Sequence, residues 1–128
     1  MTLTLFLKEM DGTIYYSGMH QDLLLYIAKT KTVEIIETNG SWIGYYDLHD
    51  EFQVDNFYME SGDVLVLFTD GVTESINSKK EMFEISGLIA ILEKSENLSA
   101  LEIKNKILGS LKDFKTEDDI TFMVCKRN

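Results

Sequence analysis

Val64-Leu-Val-Leu-Phe-Thr-Asp70-Gly71-Val-Thr-Glu74 decides how this chain is read: five apolar residues form a strand-like run that ends in a carboxylate and a glycine. Near the other end of the chain, Thr116-Glu-Asp118-Asp119-Ile-Thr121-Phe-Met-Val-Cys125 has the reverse order, acids first and apolar run second. If the two runs are neighbouring strands, their carboxylates converge at one edge of a sheet. Several oxygen donors in one place suit a hard divalent cation. Either segment alone has a plainer reading. Asp-Gly after a strand is common in turns, and Glu117-Asp118-Asp119 alone is a solvated loop. As a pair beside very apolar strands they are harder to dismiss, because a buried, unpaired carboxylate is costly and a cation would offset that cost.

Working outward, the N-terminal half reads as strands. Residues 2–8 alternate and then turn apolar, Asp11-Gly12 marks a hairpin, and residues 13–17 return. Residues 23–28 and 32–36 make a second pair turned at Lys29 to Lys31, followed by a loop from Asn39 to Tyr46 that contains Trp42. Residues 52–59 are a further strand, and Ser61-Gly62-Asp63 turns the chain into the Val64 run. The last third changes period. Leu88, Ile89, Ile91 and Leu92 form one face of a helix starting near Ser86. Ser99-Ala-Leu-Glu102 is a capping box, and Ile103, Ile107, Leu108, Leu111 and Phe114 follow at helical spacing. Lys112 and Lys115 suit the helix C-terminus. The reading is one α+β domain over residues 1–128, an antiparallel sheet with two helices on one face.

Composition narrows the function classes. A chain of 128 residues is long enough to bury a core. A net charge of −10 argues against nucleic-acid binding, which depends on clustered Lys and Arg. No apolar run approaches the ~20 residues of a bilayer span. Residues 1–8 lack the basic start of a signal peptide. With Cys125 as the single cysteine there is no intrachain disulfide, so the expected setting is the cytoplasm. His20 and His49 lack nucleophilic or zinc-site partners and read as structural. Tyr15, Tyr16, Tyr45 and Tyr46 read as packing, and Cys125 as a buried, inert thiol.

The stretch from Gly62-Asp63 through Thr-Asp70-Gly71-Val-Thr-Glu74, then Glu81-Met-Phe83, the Ser99 helix and Asp118-Asp119-Ile-Thr121 occur in that order. This series resembles the metal-dependent protein phosphatases of the PPM superfamily, in their bacterial SpoIIE/RsbU branch. Gly18-Met19-His20 resembles a glycine-histidine stretch of the same family, with Met19 where the family usually has glycine. The resemblance implies antiparallel sheets in a PPM-like β-sandwich flanked by helices, and hydrolysis of phosphoserine or phosphothreonine on a partner protein. It implies two Mn²⁺ or Mg²⁺ ions that activate a water for in-line attack. By motif position Asp70 and Asp118 match metal ligands. Asp119, Gly71 and Thr121 match supporting positions around them.

One departure bears on activity. The family's bridging aspartate, in an Asp-Gly-X-Gly-His-Gly element, is absent; Asp11-Gly12 continues as Thr13-Ile14 and belongs to a hairpin. The expectation is a C-terminal portion of the phosphatase domain that binds metal weakly and turns over poorly or not at all. The alternatives are a non-catalytic interaction module on the same scaffold and, less supported, a plain divalent-cation binder. The expected partner is a phosphorylated regulatory protein such as an anti-sigma-factor antagonist. Without the missing strands, exposed sheet edges predict a homodimer.

Overall fold

The computed structural model describes residues 3–40 and 53–128. Trp42, Tyr45, Tyr46, His49 and the start of the strand expected over residues 52–59 lie outside the described residues. The central sheet is antiparallel, in the order β4 (Thr32–Ile36), β3 (Leu23–Ile27), β6 (Val64–Phe68) and β9 (Phe122–Lys126). A second antiparallel sheet has the order β1 (Leu3–Lys8), β2 (Thr13–Met19) and β5 (Asp55–Tyr58). The architecture is therefore an α+β sandwich with helices on one outer face.

The two apolar strands at the centre, β3 and β6, are continuous because both of their faces are covered. Leu24, Tyr26, Val64, Val66 and Phe68 point to the helix side and pack with Leu88, Leu92, Ile103, Ile107 and Leu111. Their neighbours Leu23, Leu25 and Leu65 point the other way, onto Ile14 and Met59 of the second sheet. Strand periodicity of two thus divides one sequence run between two cores.

Turns hold the register. At Asp11-Gly12 the Asp11 carboxylate accepts from the Thr13 amide at 2.8 Å and the Thr13 hydroxyl at 3.1 Å. Gly12 has φ 109°, a conformation glycine adopts without a Cβ penalty. Among the described residues the one buried carboxylate is that of Asp63. It accepts from the amides of Ala28 at 2.8 Å and Glu60 at 2.7 Å, and so ties the start of β6 to the end of β3.

The helices differ from expectation in three places. A short α1 (Asp70–Thr73) follows β6 directly, so the described residues hold three helices, not two. The next, α2, spans Glu84–Leu92 and starts two residues earlier than the apolar face suggested. The last, α3, spans Ala100–Leu111 with the Ser99–Glu102 capping box formed in both directions. Phe114 is not on that helix: with Lys115 it forms β8 (Phe114–Lys115), paired with β7 (Ile76–Asn77). Phe114 still reaches the core, edge-on to Phe83 with ring centres 5.2 Å apart. Helical spacing continued past the helix end because a returning strand placed its aromatic ring at the same layer. Leu108, counted with the apolar face, is exposed.

Candidate functional site

Strands β6 and β9 pair antiparallel, Phe68 opposite Phe122, so the residues after β6 and before β9 meet at one end of the sheet. Thr69 joins them. Its amide donates to the Thr121 carbonyl at 2.9 Å, and the Thr121 amide donates to its hydroxyl oxygen at 3.1 Å. The Thr69 hydroxyl lies within donating distance of the carbonyls of Asp119, at 3.2 Å, and Thr121, at 3.3 Å. One hydroxyl therefore bridges the two acidic segments across more than fifty residues of sequence.

Gly71 makes the contact tighter. A Cβ there would lie 2.5 Å from the Asp119 carbonyl oxygen and 3.4 Å from that of Asp118. Only a residue without a side chain lets α1 seat against this backbone. From the other side, the buried Ser75 hydroxyl donates to the Gly71 carbonyl at 2.6 Å, and the Ser75 carbonyl accepts from the Phe83 amide at 2.9 Å. This places the Glu81-Met-Phe83 segment as a brace: the Asn77 side-chain amide donates to the Glu81 carboxylate at 2.8 Å, and Phe83 is buried.

The junction gathers Asp70, Gly71, Asp118, Asp119 and Thr121. The Asp70 carboxylate accepts from the Gly71 amide at 2.9 Å, which fixes one of its oxygens. Thr121 contributes through its backbone, and its side chain is exposed. The side chains of Asp70, Asp118 and Asp119 are exposed as well, which corrects the expectation that a cation would offset their burial. Their carboxylates cost little to hold in water, and the buried acid is Asp63 instead. His20 is exposed at the end of β2, with its amide donating to the Thr38 hydroxyl at 3.2 Å. Cys125 is half-buried, not fully buried, and burial pushes its thiol up from its ordinary value against the lowering effect of Lys8.

As a donor set the junction offers hard carboxylate oxygens, the type a Mn²⁺ or Mg²⁺ ion takes. Among the described residues, however, no three His, Cys, Asp or Glu side chains form a group able to hold a metal ion. Sequence reading missed Thr69 and Ser75, although Thr69 directly precedes Asp70-Gly71 and a hydroxyl there was visible.

A family model described as Stage II sporulation protein E (SpoIIE) matches residues 1–128. The chain belongs to the SpoIIE family, in the RsbU branch of the PPM-type phosphatases. It is 34% identical over 116 residues to the phosphoserine phosphatase RsbU of Bacillus subtilis (strain 168), covering 88% of this chain and 34% of that protein. The fold matches the RsbU and RsbW domains of Rv1364c from Mycobacterium tuberculosis with a TM-score of 0.72 at 19% identity, covering 98% of this chain and 36% of the other. It also matches the Mn-presoaked phosphatase domain of the cell-fate determinant SpoIIE from Bacillus subtilis, with a TM-score of 0.71 at 16% identity. That match covers 100% of this chain and 56% of the other. The chain thus spans about a third of the curated relative and little more than half of the solved phosphatase domain.

Proposed function

We propose that residues 1–128 are the C-terminal portion of a metal-dependent phosphatase domain. It acts on phosphoserine or phosphothreonine of a regulatory protein in a bacterial signalling pathway, such as an anti-sigma-factor antagonist. The observation that carries this is the Thr69–Gly71 junction, which holds Asp70 and the Asp118-Asp119 turn at one end of the sheet in a chain of the SpoIIE family. Asp70 and Asp118 would hold a Mn²⁺ or Mg²⁺ ion, with Asp119, Gly71 and Thr121 supporting them. When bound, such an ion lowers the pKa of a coordinated water and stabilises charge on a phosphoryl group. The chain's own part is positional. Thr69 and Gly71 set the spacing of the two turns, and the Gly71 amide holds one Asp70 oxygen in place.

Two carboxylates leave most of a hard cation's coordination to water. The chain alone is therefore expected to bind Mn²⁺ weakly and to hydrolyse phosphate esters poorly or not at all. Titration followed by Mn²⁺ electron paramagnetic resonance checks the binding, which Asp118→Ala should weaken further. Mn²⁺-dependent hydrolysis of p-nitrophenyl phosphate that disappears in Asp70→Asn would overturn the inactivity. The second reading, a non-catalytic module on the phosphatase scaffold, is favoured by the small ligand count. An unaltered Mn²⁺ signal at every metal concentration would select it.

The proposed setting is the cytoplasm. Among the described residues no helix is long and apolar enough to cross a membrane. The proposed assembly is a homodimer through sheet edges: β1 and β9 each end a sheet, and Leu5 and Leu7 on β1 are 64% and 61% exposed. Sedimentation velocity over a wide concentration range should show a dimer, and a constant monomer mass would rule it out.

A further inference from the structure

We propose that the groove between α2 and α3 is a docking site for a short amphipathic helix of a partner protein with carboxylates at one end. The groove has a volume of about 550 Å³. It runs from the Phe83–Phe114 ring pair at one end to Lys94 and Lys106 at the other, with Gly87 and Gly109 between them. Among the described residues no acid lines it, in a chain with 22 acidic residues against 12 basic ones. The acid Glu102 lies one turn before Lys106 and is near enough to attract it, but its hydrogen bonds are to the amide and hydroxyl of Ser99 in the helix cap. The groove is therefore apolar at one end and cationic at the other on an otherwise acidic molecule. That asymmetry selects an occupant that is apolar at one end and anionic at the other.

Gly109 gives an independent reason to place a partner here. It lies inside α3, where glycine destabilises a helix relative to alanine. Its counterpart across the groove has an internal explanation, since a Cβ on Gly87 would meet the Phe83 ring at 2.9 Å. Gly109 has none: a Cβ there would find no atom within 4 Å. Nothing inside the described molecule requires the missing side chain, whereas a helix laid along the groove does. Close approach of two helix axes depends on small side chains at the contact. The distance from Gly87 to Lys94 is about two turns, so the occupant is short.

The test uses the intact chain and a fluorescein-labelled peptide of about three turns, built from Leu and Ala with Glu residues at one end. Versions with Gln or Lys in place of Glu serve as comparisons. Fluorescence anisotropy should rank them Glu, then Gln, then Lys, with the Gln peptide about three- to tenfold weaker, as expected for two exposed ion pairs. The double variant Lys94→Glu/Lys106→Glu should reverse the ranking. Gly109→Leu should abolish binding while circular dichroism stays unchanged, and Gly109→Ala should raise the unfolding midpoint yet weaken binding. Equal binding of the Glu and Gln peptides, or retained binding by Gly109→Leu, overturns the proposal. If Gly109→Leu instead lowers the sedimentation mass of the protein alone, the groove's occupant is a second copy, and the acidic-helix assignment is wrong.

Discussion

The two faces of the central sheet are built from alternate residues of the same strands, yet they end in different states. On the helix side, Leu24, Tyr26, Val64, Val66, Leu88, Leu92, Ile103 and Ile107 have no exposed surface at all. On the sandwich side, a hollow of about 370 Å³ lies between β1 and β9, bordered by Leu65, Leu67, Met123 and Cys125. Met123 is 58% exposed. A helix brings a wide apolar stripe and no unpaired backbone, so two helices seal the centre of their side. A three-stranded sheet brings free edges, and its side stays open where β1 and β9 end. The lesson is that closure here depends on what covers the strands, not on how apolar they are.

The largest effect should come from the closed side. Ile103 is fully buried against β6 and β9 neighbours, so Ile103→Ala leaves a cavity that a tight surround cannot fill. The expected loss is about 2–5 kcal/mol in urea unfolding with an unchanged slope. A cost below about 1 kcal/mol would mean that the helix side is as loosely packed as the other, and the comparison would fail.

Next in size is the junction that ties the end of β6 to the start of β9. Gly71→Ala sets a methyl 2.5 Å from a backbone oxygen that flexible side chains cannot yield. About 1–3 kcal/mol should be lost, and with it the Mn²⁺ affinity proposed for this site, because the Asp70 and Asp118 turns separate. Loss of stability without loss of metal affinity would show that the two turns bind independently. A smaller loss, about 1 kcal/mol, should follow Ser99→Ala, which removes the α3 cap on the closed side. The Glu102 carboxyl is held below its ordinary value, first by the Ser99 amide and then by the Ser99 hydroxyl. A depressed carboxyl adds stability above its unfolded value and loses it as pH falls through the folded one. The gap between wild type and Glu102→Gln should accordingly narrow on acidification. A gap constant from neutral to acidic pH would remove Glu102 from the cap's energetics.

Much of this was legible in the residues. The Val64 run, the Asp11-Gly12 turn and the Ser99 capping box are local signals, and each became the element it announced. Phe114 misled because a ring can enter the helix-side core from a strand as well as from a helix, and spacing does not distinguish them. The carboxylates' exposure was invisible for a related reason: an acid next to an apolar run is adjacent in sequence to the core, but a turn lifts it clear. Asp63, flanked by the same strand, is the acid that is buried, because two backbone amides meet it. Thr69 and Ser75 carried no pattern, since a hydroxyl's partner fifty residues away is a product of topology.

The smallest effect should come from the open side, and its smallness is the point. Leu67 is half-buried and borders two hollows, one toward β1 and β9 and one beside His20 and Phe68. Truncating it enlarges space that already reaches solvent, so water replaces the lost atoms and no dry cavity forms. Leu67→Ala should therefore cost about 1 kcal/mol or less, well under the range for a sealed leucine site. If sheet edges pair in solution, the same substitution should cost more at high protein concentration than at low. Pairing would seal the hollow and convert Leu67 into a core residue. Equal losses at both concentrations would show that the hollow stays open in whatever assembly forms, and the two faces would then differ permanently.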